Sequence, residues 1–120
     1  MDYDSVMQAN LAQVFGERDA TRRLAALGEL YAADAVFYEP DAVATGHAAI
    51  SETVGRILSG VPADFVFTAL APAAGHHDVG RLHWKFGPPD GPAAVTGTDI
   101  VRFEDGLIKT LHVFLDAPGD

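Results

Sequence analysis

The sequence predicts an α+β domain in which three helices precede a strongly curved, mainly antiparallel sheet, with an apolar pocket enclosed between the two layers. Three observations lead there. Apolar residues recur at helical spacing in three stretches before Gly60. From Asp64 onward, strand-like runs alternate with turn signals. The last of these runs carries apolar side chains at both odd and even positions, so the sheet must be covered on each face.

Each element has its own signal. Ser5-Val6-Met7-Gln8 reads as a capping box, and Val6, Leu11, Val14 and Phe15 recur near helical spacing until Gly16 ends the first helix. Asp19 caps a second helix that ends near Ala33, with Leu24, Leu27, Leu30 and Tyr31 as its apolar stripe and Arg22, Arg23 and Glu29 outside it. Val36-Phe37-Tyr38-Glu39 is a short strand halted by Pro40, and a second extended piece covers Ala42 to Ala44. Gly46 opens a third helix with Ile50, Val54, Ile57 and Leu58 on one face, closed by Gly60 and Pro62. Long strands follow over Phe65 to Leu70, Val79 to Phe86, Ala93 to Phe103 and Leu107 to Leu115. They are separated by a turn at Pro72 to Asp78, a proline-rich loop at Gly87 to Pro92, and a tight hairpin at Glu104-Asp105-Gly106.

Composition narrows the function. The 120 residues suit a single domain over 1–120 whose core can hold a cavity. No apolar run approaches the roughly 18 residues of a membrane span. A net charge of -9, with eight basic residues scattered along the chain, disfavours nucleic acid and anionic lipid surfaces as partners. Met1-Asp2-Tyr3-Asp4 lacks the basic-then-apolar pattern of a signal peptide, so the cytoplasm is the expected compartment. The absence of cysteine excludes disulfides, thiolate nucleophiles and zinc-thiolate sites.

Strand parity then selects candidate site residues. Val95, Gly97, Asp99, Val101 and Phe103 share one face, which puts Asp99 in an apolar row. An unpaired ionised carboxylate there costs several kcal/mol, so Asp99 must be hydrogen-bonded, protonated, or at the wall of an accessible cavity. Phe37 and Glu39 share a face by the same rule, placing a second acid beside an aromatic ring. In the last strand Leu107, Lys109, Leu111, Val113 and Leu115 alternate with Ile108, Thr110, His112 and Phe114. Helices can cover only one face of so small a sheet, and the other is expected to form a homodimer interface. Gly97 in mid-strand marks a bend or close packing.

The segments Tyr31-Ala32-Ala33-Asp34-Ala35-Val36, Glu39-Pro40 and Gly46-His47-Ala48-Ala49-Ile50 resemble the nuclear transport factor 2-like superfamily. Thr98 through Ile108 is similar to the closing hairpin of its SnoaL-like polyketide cyclase and ketosteroid isomerase branches. The resemblance implies a cone of curved sheet and helices with a pocket at its open end. It also implies that Glu39 stands where the isomerases carry the proton-shuttling aspartate and Asp99 where they carry a protonated oxyanion donor, the logic of which is a known ketosteroid isomerase example. The tyrosine of their first helix is replaced by Leu11. From the cyclases comes a third candidate, His83, which parity turns away from the pocket because Leu82, Trp84 and Phe86 form the apolar row.

The expected catalytic set is therefore Glu39, Asp99 and His83, with Phe37, Leu11, Phe15, Trp84, Val101, Leu111 and Val113 as pocket wall. The expected substrate is a small hydrophobic carbonyl compound, isomerised or cyclised by proton transfer without a cofactor; the alternatives are plain binding of an apolar ligand and a dimeric interaction domain. His76-His77-Asp78 invites a metal reading. Adjacent histidines in an extended segment point to opposite sides, and the spacing supplies no further ligands, so no metal is expected there.

Overall fold

The computed structural model describes residues 1–117. Helix α1 (Tyr3–Asn10) continues as one π-helical turn over Leu11–Phe15, followed by α2 (Ala20–Leu30), the strand pair β1 (Tyr31–Glu39) and β2 (Ala42–Thr45), and α3 (His47–Ser59). The sheet is completed by β3 (Val66–Ala69), β4 (Ala74–His76), β5 (Val79–Gly87), β6 (Val95–Glu104) and β7 (Leu107–Leu115). Its order is β2-β1-β7-β6-β5-β3, with β4 paired to β5 beside β3. All pairings are antiparallel except β1 with β7, which is parallel. The result is an open mixed sheet with the three helices on one face, an α+β architecture. Among the described residues no helix is long and apolar enough to cross a membrane.

Several elements depart from their sequence signals, each for a local reason. The first helix is capped by Asp2, whose Oδ1 accepts from the Ser5 amide at 3.0 Å, so Ser5 lies inside the helix rather than capping it. The second helix stops at Leu30, because Tyr31 turns extended and joins the sheet. Its buried face is Arg23, Ala26 and Leu27, whereas Leu24 is exposed. Arg23 tolerates burial because its guanidinium donates to Ser51 Oγ at 3.0 Å and to the Glu17 carbonyl at 2.6 Å. The turn expected over Pro72 to Asp78 holds the short strand β4, and β6 begins at Val95 rather than Ala93.

Parity in the last strand is broken by a bulge. Arg102 pairs with Thr110 but Phe103 with Ile108, which leaves Lys109 as the extra residue. Ile108 thereby turns inward and is fully buried with Leu111, while Lys109 reaches Asp34 in an ion pair. Strand β1 answers with an irregularity of its own between Tyr31 and Val36, and the Tyr31 and Ala32 carbonyls lie 3.1 and 3.0 Å from His47 Nε2. The core is built from the inward rows, Phe37, Leu111 and Val101 across three strands, closed by Leu27, Ile50 and Val54 from the helices. Each such side chain contributes about 1.5–3 kcal/mol by leaving water.

Candidate active site

Toward the other end of the same rows the layers part and leave a cavity of about 320 Å³. Cross-strand register sets its wall. Trp84 lies opposite Gly97, and Gly97 opposite Leu115; Leu82 pairs with Asp99, and Asp99 with Val113. A Cβ on Gly97 would lie 2.7 Å from Trp84 Cζ2 and 2.8 Å from the Phe114 carbonyl, so only glycine lets the indole lie flat across β6. The helical side is supplied by the π turn. Its Gly16 amide bonds the Leu11 carbonyl five residues back at 2.9 Å, and the widened turn presents both Leu11 and Phe15 to the cavity. Phe15 meets Phe37 edge-on at 5.3 Å, and Phe67 stacks on Phe86 at 4.1 Å and meets Trp84 edge-on at 5.2 Å.

Among the described residues the ionisable side chains of this wall are Asp99 and Glu39, and no basic side chain lines it. Asp99 is 3% exposed, and its Oδ1 accepts from Trp84 Nε1 at 2.9 Å. Among the described residues no sealed side-chain oxygen or nitrogen lacks a partner, so the second carboxyl oxygen opens to the cavity. Burial raises the carboxyl from its ordinary 3.8 to about 7, with the indole hydrogen bond pulling the other way. At neutral pH Asp99 therefore exists both as acid and as carboxylate. Among the described residues the wall's side-chain donors at neutral pH are protonated Asp99 and the Trp84 N–H, the latter already spent on Asp99 itself.

Glu39 is half-buried at the rim. It lines the cavity together with Pro40, Val95, Val113 and Leu115, and the same residues border a wide outer groove, so the mouth lies there. Leu11, Phe15, Phe37, Trp84 and Val113 lie along the wall. Val101 and Leu111 share those rows but are fully buried in the core, away from the lining. His83 is on the opposite face, where its Nε2 meets Asp116 Oδ2 at 3.0 Å. The Thr96 hydroxyl donates to the same carboxylate oxygen, and these two contacts hold the Asp116 carboxyl below the usual range, the Thr96 bond most strongly. The structure thus brings Glu39 and Asp99 to one cavity and leaves His83 outside it.

Residues outside the expected ligand-contact set complete the wall, notably Phe65, Phe67, Phe86, Ile57 and Val61. The register of β3 against β5, which pairs Phe67 with Phe86, sets these two rings in the inward row, and Ile57 and Val61 come from the end of α3 and just beyond it. A second buried polar pair is Tyr31, whose hydroxyl donates to Asn10 Oδ1 at 2.5 Å. Burial, and then the charge of Asp99, push that hydroxyl well above its usual range, so it stays protonated. Reading Tyr31 as part of a helical stripe hid it.

A family model described as a SnoaL-like domain matches residues 11–111. Among solved structures, a candidate isomerase of the SnoaL-like family from Agrobacterium tumefaciens is 26% identical, covers 97% of this chain and 98% of its own, and superposes with a TM-score of 0.88. A candidate polyketide cyclase from Sinorhizobium meliloti is 21% identical over 91% of this chain and 93% of its own, with a TM-score of 0.70. A protein with a ketosteroid isomerase-like fold from Catenulispora acidiphila, in complex with trimethylamine, is 21% identical over 91% and 83% with a TM-score of 0.72. The last two likenesses concern the fold alone. No curated protein matches the chain.

Proposed function

The chain belongs to the SnoaL-like domain family, and from that premise we propose that it moves a proton on a small hydrophobic carbonyl compound held in the aromatic cavity. Glu39 at the rim takes the proton from the carbon next to the carbonyl. Asp99 in its acid form donates a hydrogen bond to the oxygen on which the enolate charge develops. With a β,γ-unsaturated ketone the dienolate takes the proton back from Glu39 at its γ-carbon, which completes an isomerisation; with a dicarbonyl compound the enolate carbon attacks the second carbonyl and the alkoxide so formed takes the proton from Glu39, which completes a cyclisation. No cofactor enters either path.

The observation that carries this reading is the donor inventory of the wall. Among the described residues one lining side chain is free to donate to a carbonyl oxygen bound there, protonated Asp99, and a substantial share of Asp99 holds its proton near neutrality. Packed at interior density, about 320 Å³ holds about 240 Å³ of ligand atoms, the size of a one- or two-ring compound. The test is exchange of α-protons for deuterium in a panel of monocyclic and bicyclic ketones, followed by NMR. Wild-type protein should accelerate exchange in at least one member, and Glu39→Gln and Asp99→Asn should each abolish it. A panel that exchanges no faster than in buffer, or equally fast with both variants, removes the mechanism.

One observation favours a second reading, non-catalytic binding. By the resemblance Leu11 stands where the isomerases carry their helix-one tyrosine, and its side chain donates no hydrogen bond to an oxyanion. The wall instead offers aromatic faces and two acids, which suits a small, largely apolar ligand with a cationic amine such as the one bound by the Catenulispora protein. The two readings differ in sign with pH. Carbonyl binding weakens as Asp99 loses its proton above about 7, whereas amine binding strengthens.

A further inference from the structure

Strands β4 and β5 are joined by the two residues His77 and Asp78, since His76 pairs with Val79. Both have positive φ, 50° and 65°, as a two-residue turn matching the right-handed twist of a hairpin requires. The segment is therefore not extended, and the reason for expecting adjacent histidines to splay apart does not hold here. The left-handed residue folds the second imidazole back on the first. His76 Nδ1 and His77 Nδ1 lie 2.8 Å apart, with the ring planes at 90° and both side chains exposed.

The tip is held on two sides. The Asp78 amide donates to the Tyr3 hydroxyl at 3.0 Å, and the Phe103 amide donates to the Asp78 carbonyl at 2.7 Å. Tyr3 in turn packs flat on Gly75 of β4, where any Cβ would fall 2.3 Å from its ring. The backbone that carries the two rings is thus pinned from both sides, which reduces the ordering cost of using them together.

We propose that His76 and His77 form a bidentate site for a divalent transition metal that prefers square-planar or tetragonal geometry, Cu²⁺ before Ni²⁺. Two nitrogens each about 2.0 Å from one cation stand about 2.8 Å apart when they occupy adjacent square-planar positions and about 3.3 Å apart in a tetrahedron. The observed separation of 2.8 Å is the square-planar value. Without metal the same spacing is that of one Nδ1–H donating to the other Nδ1; on loading, that proton leaves to solvent and the rings turn so that both lone pairs meet at the cation, off the line joining the two nitrogens. Among the described residues no group of three or more histidines, cysteines and acids is placed to hold a metal. The remaining positions are therefore filled by water or an external ligand, and the site is exchangeable and open. A net charge of -9 raises the local concentration of cations around it.

The experiment is titration of the full chain with Cu²⁺ alone at pH 7.5, followed by calorimetry and electron paramagnetic resonance. Wild-type protein should take up one tight equivalent with an axial, nitrogen-coupled spectrum, and bind Zn²⁺ at least tenfold more weakly. His76→Asn and His77→Asn, the latter chosen because asparagine tolerates positive φ, should each weaken Cu²⁺ binding at least tenfold and alter the spectrum. In unsubstituted protein, substoichiometric Cu²⁺ should broaden the His76 and His77 ring resonances before those of the other three histidines. A double variant that keeps the wild-type affinity and spectrum, broadening that begins elsewhere, or Zn²⁺ binding as tightly as Cu²⁺ would overturn the proposal.

Discussion

Replacing Asp99 with Asn isolates the cost of keeping an ionisable group in the cavity wall. Asn is nearly isosteric, retains an oxygen for the Trp84 N–H, and cannot ionise. Burial takes the Asp99 carboxyl from 3.8 in the unfolded chain to about 7 in the folded one, a difference worth about 4 kcal/mol against the ionised native state. The folded form holds its proton more tightly, so in the interval between these values the native state binds more protons than the unfolded state. Stability is then full below about pH 4, falls as pH rises, and levels off above about 7. Of that loss, about 3 kcal/mol falls between pH 4.5 and 8. The assay is urea unfolding of wild type and Asp99→Asn at both pH values, read by far-UV circular dichroism; other titrating groups cancel in the difference. The variant should be about 3 kcal/mol more stable relative to wild type at pH 8 than at pH 4.5. Stability curves that stay parallel within about 0.5 kcal/mol would refute the assignment of a desolvated, protonated Asp99.

Other perturbations test the parts around it. Trp84→Phe removes the hydrogen bond that favours the Asp99 carboxylate, so the pH midpoint of the wild-type-like difference curve should move upward; an unchanged or lower midpoint contradicts the geometry. Gly97→Ala sets a methyl against the Trp84 ring and the Phe114 carbonyl, and should cost about 1–3 kcal/mol in urea unfolding. In the ketone assay, Glu39→Gln should lower exchange by about 10²–10⁴-fold, the usual contribution of a positioned base. On the uncovered sheet face Tyr38 stacks on His112 at 4.4 Å, with Phe114 next in line and 58% exposed. If a second copy covers this face, Phe114→Glu should convert a dimer to a monomer in light scattering, and a monomeric wild type removes that expectation.

Much of this site was legible because a strand's period is two. That rule set Asp99 among Val95, Gly97, Val101 and Phe103 and aligned Glu39 with Phe37, and the structure lines one cavity with both acids. Parity also turned His83 outward, where it pairs with Asp116. It failed where the ladder slips. The bulge at Lys109 reverses Ile108, and a bulge arises from the pairing of two strands rather than from either sequence. Tyr31 and Arg23 were misread for a related reason. Helical spacing fits both, yet the first is claimed by the sheet and the second is drawn inward by Ser51 and the Glu17 carbonyl, partners distant or irregular in sequence. His76 and His77 depended on backbone torsions that composition does not disclose, since neither residue of the turn is glycine or asparagine.

Strand β7 follows every other strand in chain order yet lies in the middle of the sheet, between β1 and β6. During synthesis the helices and the first hairpin emerge with no partner for the inner edge of β1, and the β5–β6 ladder waits with an unpaired edge of its own. Only when Leu107–Leu115 leaves the ribosome can the two halves be joined, with Val113 and Leu115 arriving as the final panel of the cavity. Folding should therefore be a single late event dominated by contacts distant in sequence. A nascent chain stalled before β7 would present two open strand edges to chaperones or to other chains, and would lack the cavity wall that Val113 and Leu115 supply.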